Sequence, residues 1–168
     1  MKRVLLIFTI LIACVGCDQT TKSVAKSSLS EAEAISLVGG SIRLQIAKNY
    51  GAFLSMGESL PARWRIGLFS TGVAVVLAGL LAYALISKRI NPVTVAASAM
   101  IVGGGLSNLI DRFVYGGYAV DFINVGVGPV RTGIFNLADA CIMVGMALWL
   151  FGDRIWRWMG SGHEEHAG

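Results

Sequence analysis

Charged side chains are scarce in this sequence of 168 residues. They make up 14% of the chain, whereas a typical soluble domain has about 25%. Hydrophobic residues make up 55%, and the mean hydropathy is +0.67. A globule of this size cannot enclose so much apolar surface. The composition therefore excludes an ordinary soluble domain and predicts a single membrane domain, residues 1–168.

Dense runs of basic residues are also missing. The fourteen Lys and Arg give a net charge of +4 but are spread along the chain, which argues against a nucleic-acid footprint. Basic side chains that flank apolar segments instead suit anchoring at anionic lipid surfaces. The sequence therefore predicts membrane lipids, and no nucleic acid, among the partners.

Cysteine is too rare for a disulfide framework, since only Cys14, Cys17 and Cys141 are present. Cys14 and Cys17 have the spacing of a redox or metal pair, but no βαβ pattern surrounds them. Thiols buried among apolar residues are the simpler interpretation. The polar tail contributes His163 and His166, which are not part of a cluster. No metal site and no cofactor are expected.

Long apolar segments predict transmembrane helices at about 4–26, 66–87, 93–111 and 136–152. Basic pairs lie before the first segment, between the second and the third, and after the fourth. This is the pattern expected for four spans with both termini in the cytoplasm. These pairs are Lys2 and Arg3, Lys88 and Arg89, and Arg154 and Arg157. In the third segment, Gly103-Gly104-Gly105 is predicted to let neighbouring helices approach closely.

The first apolar segment admits two interpretations. Val4 to Cys17 is short of the hydrocarbon core, since 14 residues rise only about 21 Å. It also ends in a Gly-Cys pair at 16–17, as the signal sequence of a lipoprotein precursor does. A retained helix that continues through Asp18 and Lys22 would supply the missing length. In that case Asp18 faces protein and Lys22 snorkels to the membrane surface.

A small sheet is predicted outside the helices, in a β-rich segment at about 35–60. Ser41–Ile46 alternates polar and apolar residues, and Gly39-Gly40 supplies a turn for pairing with Ile35–Val38. Residues 118–120 add a further short strand within an outer loop at about 113–134. The predicted fold class is thus an α-helical membrane protein with four transmembrane helices and a small β-sheet subdomain on the outer face.

Polar side chains gather at the outer ends of the predicted helices, where an ionisable group is costly and calls for an explanation. The set is Asp18, Asn108, Asp111, Arg112, Asn136 and Asp139, with Asp121 in the loop before the last helix. Structural explanations exist for several of them. Asp111 and Arg112 form an ion pair in one interpretation, and Asn136 caps a helix in another.

Asp121 and Asp139 together suggest aspartyl chemistry. Two neighbouring carboxylates in a low dielectric do not both ionise easily, so one keeps a proton. The ionised group takes a proton from water, and the protonated group polarises a carbonyl. Proton relay and structural roles compete with this interpretation. The alternative function is therefore a small four-span transporter or proton-relay protein without hydrolytic activity.

Four patches of the chain, in order, resemble bacterial lipoprotein signal peptidase, also called signal peptidase II. They are DQTTK at 18–22, NYGAF at 49–53, GLSNLIDR at 105–112, and VDF at 120–122 with FNLAD at 135–139. The second patch departs from the usual Asn-x-Gly-Ala-Ala-Phe by one missing alanine. The loop between Arg112 and Asp121 is also one residue longer than is usual in the family.

The resemblance implies an intramembrane aspartyl endopeptidase of the bacterial inner (cytoplasmic) membrane. Such an enzyme cleaves prolipoproteins before a diacylglyceryl-modified cysteine, near the periplasmic face, without a cofactor. The matching catalytic acids are Asp121 and Asp139. The matching supporting or substrate-binding residues are Asp18, Asn49, Asn108, Arg112 and Asn136. Arg112 and Asn49 are expected to hold substrate carbonyls and the other asparagines to orient the acids, in a protein that acts as a monomer.

Overall fold

The computed structural model of the chain describes residues 1–30, 34–51, 61, 64 and 67–161. The helices are α1 (Lys2–Ser28), α2 (Val73–Ile86), α3 (Pro92–Val114) and α4 (Leu137–Ser161). The strands are β1 (Ile35–Leu37), β2 (Ile42–Asn49), β3 (Ala119–Val127) and β4 (Val130–Arg131). A 3₁₀ turn, Val38–Gly40, joins β1 to β2, and a π-helical turn, Gly67–Gly72, precedes α2. The predicted β-rich residues 52–60 and both histidines lie outside the described residues.

The predicted helices are present, with ends that differ from the predicted ones. α1 is continuous through Asp18 and Lys22, so the extension of the first helix is confirmed. Two of the described helices, α1 and α3, are long and apolar enough to cross a membrane. The apolar stretch that contains α2, Ser70–Ile86, is shorter. The arrangement of four spans therefore stays a prediction.

α3 lies at the centre of the helices and packs against each of the others. It begins where the sequence indicates, because Pro92 occupies its first turn and the side chain of Asn91 accepts a hydrogen bond from the Thr94 amide at 2.9 Å. Near its middle, three successive glycines face three different helices. A Cβ at Gly103 would meet Cys14 of α1 at 2.8 Å, and a Cβ at Gly105 would meet Leu77 of α2 at 2.7 Å.

Gly104 faces α4, where a Cβ would collide with the backbone carbonyl of Ala138. We expect Gly104→Ala to destabilise the protein by about 1–3 kcal/mol, because the obstructing atom is backbone and cannot change rotamer. Thermal unfolding in detergent measures the effect. Gly79→Ala is the matched control, since a Cβ at Gly79 has nothing within 4 Å. Equal melting temperatures for the two variants would show that α3 and α4 are not closely packed here.

The strands form one antiparallel sheet in the order β1-β2-β3-β4. The predicted hairpin is confirmed, with Ile35 opposite Leu44 and Leu37 opposite Ile42. The predicted outer loop at 113–134 contains the whole of β3 and β4, so it has more strand than the short one predicted at 118–120. β3 is much longer than the predicted strand at 118–120 because it pairs with β2 along both halves, across a register shift between Leu44 and Ala47.

Candidate active site

Asp121 lies in β3, and the backbone amides of the residues before and after it form hydrogen bonds to other elements. The amide of Val120 donates to Asp111 Oδ2 at the end of α3 at 2.9 Å. The amide of Phe122 donates to the carbonyl of Phe135 at 3.1 Å. β3 is thereby fastened both to the end of α3 and to the segment that enters α4. The carboxylate of Asp121 projects where these elements meet and is only 2% exposed.

Asp139 lies in the first turn of α4, which Asn136 caps. Asn136 Oδ1 accepts from the amide of Asp139 at 2.9 Å, and Asp139 Oδ2 accepts from the amide of Asn136 at 3.2 Å. This reciprocal pair is a capping box, with Asp139 in the place of the usual glutamate. The amide of Ala138 donates to Asp18 Oδ1 at 2.8 Å. The capping role predicted for Asn136 is therefore present, and the cap also fixes an acid.

Three asparagines direct amide donors at the two carboxylates. Asn49 Nδ2 donates to Asp121 Oδ2 at 2.9 Å, and Asn136 Nδ2 donates to Asp121 Oδ1 at 2.6 Å. Asn108 Nδ2 donates to Asp139 Oδ1 at 2.9 Å. Asn136 Nδ2 also reaches Asn108 Oδ1 at 3.0 Å, so one amide connects the surroundings of both acids. Five predicted site residues are thus gathered around one point.

The electrostatic environment of Asp121 favours its protonated form. Burial, followed by the nearby charge of Asp139, raises the pKa of Asp121 to about 7. The hydrogen bonds from Asn49 and Asn136 act in the opposite direction, because they stabilise the ionised carboxylate. A carboxyl group with this pKa exchanges its proton near neutral pH. That property suits a group that both accepts and donates a proton in a reaction.

The predicted position of Lys22 is wrong. Lys22 is 2% exposed and does not extend to the membrane surface. Its ammonium group lies 2.6 Å from Asp18 Oδ2 and 2.8 Å from Asp111 Oδ2, and it donates to Asn108 Oδ1 at 3.0 Å. A buried ammonium group needs charged or polar partners. Two carboxylates and one amide oxygen supply them here, so Lys22 binds inside the protein and not at the membrane surface. Asp18 does face protein, as predicted.

The predicted ion pair between Asp111 and Arg112 is also wrong. Asp111 binds Lys22 instead, and Arg112 donates to the carbonyl of Asn108 at 3.0 Å and to the carbonyl of Gly51. Arg112 Nε is buried and has no acceptor among the described residues. The charge of Arg112 still interacts with that of Asp121 and of Asp139. Arg112 therefore joins the loop after β2 to the end of α3 beside the acids.

Two residues of the site were not identified from the sequence. Gln19 Nε2 donates to Asp111 Oδ1 at 2.8 Å and to Ser107 Oγ at 3.0 Å. Ser107 Oγ in turn donates to Asp18 Oδ2 at 2.7 Å. The spacing of Ser107 to Asp111, four residues on a helix, indicates a shared face. Nothing local indicates that α1 supplies the partners for that face.

Known proteins are similar to this chain over most of its length. The family profile described as Signal peptidase (SPase) II matches residues 10–153. The lipoprotein signal peptidase of Syntrophus aciditrophicus is 32% identical over 157 residues, which cover 92% of this chain and 96% of that protein. The lipoprotein signal peptidase of Klebsiella aerogenes is 34% identical over 141 residues, covering 83% and 82%. That of Mycobacterium tuberculosis is 29% identical over 152 residues, covering 88% and 70%.

Solved structures share the fold. Two structures described as a bacterial membrane enzyme superpose with a TM-score of 0.75, at 23% and 24% sequence identity. Each comparison covers 87% of this chain, and 85% or 90% of the other. Helices with a small antiparallel sheet are therefore the architecture of a known membrane enzyme. Together with the profile match across most of the chain, these relatives show that the chain belongs to the signal peptidase II family.

Proposed function

We propose that this chain is an aspartyl endopeptidase that cleaves prolipoproteins before the diacylglyceryl-modified cysteine. Membership of the family makes it a peptidase, and its relatives are named lipoprotein signal peptidases. One observation carries the aspartyl mechanism. The side chain of Asn136 touches both Asp121 and the backbone of Asp139, so two buried carboxyl groups are fixed beside each other.

The proposed reaction uses one shared proton. The ionised carboxylate takes a proton from water, whose oxygen forms a bond to the scissile carbonyl carbon. The carboxylic acid gives its proton to the carbonyl oxygen, producing a tetrahedral intermediate. When the C–N bond breaks, the departing nitrogen takes the proton that came from water, and a hydroxyl of the intermediate returns its proton to the other carboxylate. The new carboxylic acid then ionises in water. The products are a signal peptide with a new carboxylate and a lipoprotein with a free amino group, and the pair again holds one proton.

Arg112 is proposed to bind the substrate backbone. Its Nη1 and Nη2 atoms are engaged by carbonyls of the protein, whereas Nε is a buried donor without an acceptor in the described part of the chain. A substrate carbonyl beside the acids would satisfy this donor, and leaving it unpaired is unfavourable. Asn49 is proposed to bind a substrate carbonyl as well, in addition to its hydrogen bond to Asp121.

We place the enzyme in the inner membrane as one domain with four spans, both termini in the cytoplasm and the acids near the periplasmic face. Large apolar side chains support this placement, because they are exposed along the helices where lipid would cover them. Leu5 and Ile12 of α1 are each 69% exposed, and Leu150 of α4 is 72% exposed. Asp139, by contrast, lies in the first turn of α4, and Asp121 lies in β3 beside it.

The lipid on the substrate gives the proposal its sharpest test. We expect purified protein in detergent to cleave a prolipoprotein that carries diacylglycerol on its cysteine, and to leave the unlipidated precursor intact. The acyl chains hold the cysteine at the membrane surface, at the level proposed for the acids. Gel mobility and the mass of the new N-terminus measure the reaction. Equal cleavage of both precursors would contradict the proposed substrate class.

The hydrogen bond from Asn49 predicts a pH effect. It stabilises ionised Asp121, so its loss in Asn49→Ala raises the pKa of Asp121 further. Because the pair must keep one proton, we expect the alkaline limit of kcat/KM to move up by about one pH unit. Gln45→Ala, an amide removed from the same strand, serves as the control. An alkaline limit that is unchanged or lower in Asn49→Ala would contradict the proposed role.

A further inference from the structure

A cationic cavity lies at the end of the helices away from the acids. Its volume is about 560 Å³, and it is lined chiefly by Lys88, Arg89, Asn91, Asp153, Trp156 and Arg157. The linker between α2 and α3 supplies one side and the last turns of α4 supply the other. None of the site residues described above lines this cavity. An open cavity with this composition is suited to an anion.

The charge of the cavity is strongly positive. Lys88, Arg89 and Arg157 oppose a single acid, Asp153. Asp153 is itself engaged, since Asn91 Nδ2 donates to its Oδ1 at 2.7 Å. The start of α3 also faces this region, and a helix N-terminus carries partial positive charge. The net preference is therefore for a negatively charged group.

A second cavity adjoins the first and has a different character. Its volume is about 280 Å³, and it is lined by Lys2, Arg3, Leu6, Ile90, Pro92 and Val95. Ile90 and Pro92 line both cavities, so the two lie next to each other. Arg3 donates to the carbonyl of Ser87 at 2.5 Å, while its Nε and Nη2 atoms are buried without an acceptor in the described ranges. The pair of cavities thus combines cations with an apolar slot.

The length of α3 between the cavities and the acids is close to the thickness of the hydrocarbon core of a bilayer. From Asn91, before α3, to Asn108, beside the acids, the helix rises about 26 Å at 1.5 Å per residue. The hydrocarbon core of a bilayer is about 30 Å thick. If α3 spans the membrane as proposed, the acids lie at one headgroup layer. The two cavities then lie at the other.

We propose that the two cavities bind one anionic glycerophospholipid at the membrane face opposite the acids. Its phosphate lies among Lys88, Arg89 and Arg157, where the charges are complementary, and Lys2 and Arg3 add positive charge at the adjoining cavity. The beginning of an acyl chain enters the slot formed by Leu6, Ile90 and Val95. Basic pockets between membrane helices bind anionic headgroups for the same reasons. This proposal rests on the placement of α3 in the bilayer and not on the peptidase mechanism.

Trp156 provides a local probe for the test. The full chain is prepared with Trp64, Trp149 and Trp158 replaced by phenylalanine, so that emission comes from Trp156 alone. Quenching is titrated in mixed micelles with phosphatidylglycerol or phosphatidylcholine brominated on the acyl chains. We expect half-maximal quenching to need at least about fivefold less phosphatidylglycerol than phosphatidylcholine. Each basic residue near an anionic surface contributes about this factor to binding.

A pair of double variants makes the test specific. Arg89→Gln/Arg157→Gln removes two lining charges, and we expect it to abolish the preference for phosphatidylglycerol. Arg43→Gln/Arg154→Gln changes the net charge equally at residues outside both linings, and we expect it to keep the preference. Circular dichroism and melting temperatures verify that each variant is folded.

Three results would overturn the proposal. The first is equal quenching by both lipids in the parent chain. The second is a preference that survives Arg89→Gln/Arg157→Gln in a folded protein. The third is displacement of phosphatidylglycerol by inorganic phosphate at equal concentration, because free phosphate lacks the acyl chain and should compete poorly. That last result would assign the cationic cavity to free phosphate instead of a lipid.

Discussion

Asp121→Asn and Asp139→Asn are each expected to lower kcat for a lipidated prolipoprotein by at least about 10³-fold. Each substitution removes a group that must transfer a proton, and such groups contribute about 10² to 10⁴ in rate. Neither change alters the size of the side chain. The loss therefore reports the missing proton transfer, provided that the variants fold. Single-turnover cleavage with excess enzyme measures it without interference from product release.

The hydrogen bonds around the acids predict a modest loss of stability as well. Both oxygens of Asp121 accept from amide donors, Asn49 Nδ2 and Asn136 Nδ2. In Asp121→Asn, one of these oxygens is replaced by an NH₂ group, so two hydrogen-bond donors face each other and one hydrogen bond is lost. Asp153→Asn is the control, because it removes a carboxylate from α4 far from the acids. Full activity in a folded Asp121→Asn or Asp139→Asn variant would refute the aspartyl mechanism.

The elements with local signals were predictable from the sequence. An apolar run without charge, with proline in its first turn, was enough to place α3. The spacing of Asn136 and Asp139 was enough to place a cap and an acid on one turn. A physical argument about two neighbouring carboxylates indicated the two aspartates, and the four matching patches indicated which reaction they catalyse.

β3 was underestimated because its burial does not alternate. Residues 119–122 are all buried, so both faces of the strand are covered in this half. The alternation of polar and apolar residues that indicates a half-buried strand is consequently lost. The extent of β3 depends on β2 and on the bridge between Ile123 and Phe135, which no local pattern reveals.

The polar network around Lys22 was missed for a related reason. The pair of Asp18 and Lys22 was available from their spacing of four on one helix. Its continuation was not, because Asn108 lies 86 residues further along the chain. A lysine near a helix end reads as an interfacial anchor unless its distant partners are known. The correct interpretation required α1 and α3 to be packed side by side.

Lys22→Met is expected to lower kcat by about 10²-fold, the size of effect that a displaced catalytic group produces. Lys22 donates to Asn108 Oδ1 at 3.0 Å, and Asn108 Nδ2 donates to Asp139 Oδ1 at 2.9 Å. An amide has one accepting end and one donating end. A cation at Oδ1 therefore holds the donating end toward Asp139. Without it, Oδ1 keeps the hydrogen bond from Asn136 Nδ2 but loses the cation, so Asn108 is freer to turn its oxygen toward the carboxylate.

Lys22 acts as a positioning residue, because Asp18 and Asp111 more than balance its charge. Its removal also leaves two buried carboxylates unpaired, which costs about 3–5 kcal/mol of stability. The double variant Lys22→Met/Asp111→Asn separates the two effects. It removes one unpaired charge, so we expect the melting temperature to recover in part while kcat stays low. Thermal unfolding and single-turnover cleavage are measured on the same preparations.

Lys26→Met is the matched control for Lys22→Met. Lys26 lies one helical turn further along α1, is exposed, and stacks over the ring of Tyr115 at 4.1 Å. Lys26→Met removes the same charge as Lys22→Met but leaves the hydrogen bonds of Asn108 intact, so we expect kcat to be nearly unchanged. If kcat in Lys22→Met/Asp111→Asn recovers together with stability, Lys22 acts only through its ion pairs. If kcat stays low, the orientation of Asn108 is part of how the fold prepares Asp139 for the reaction.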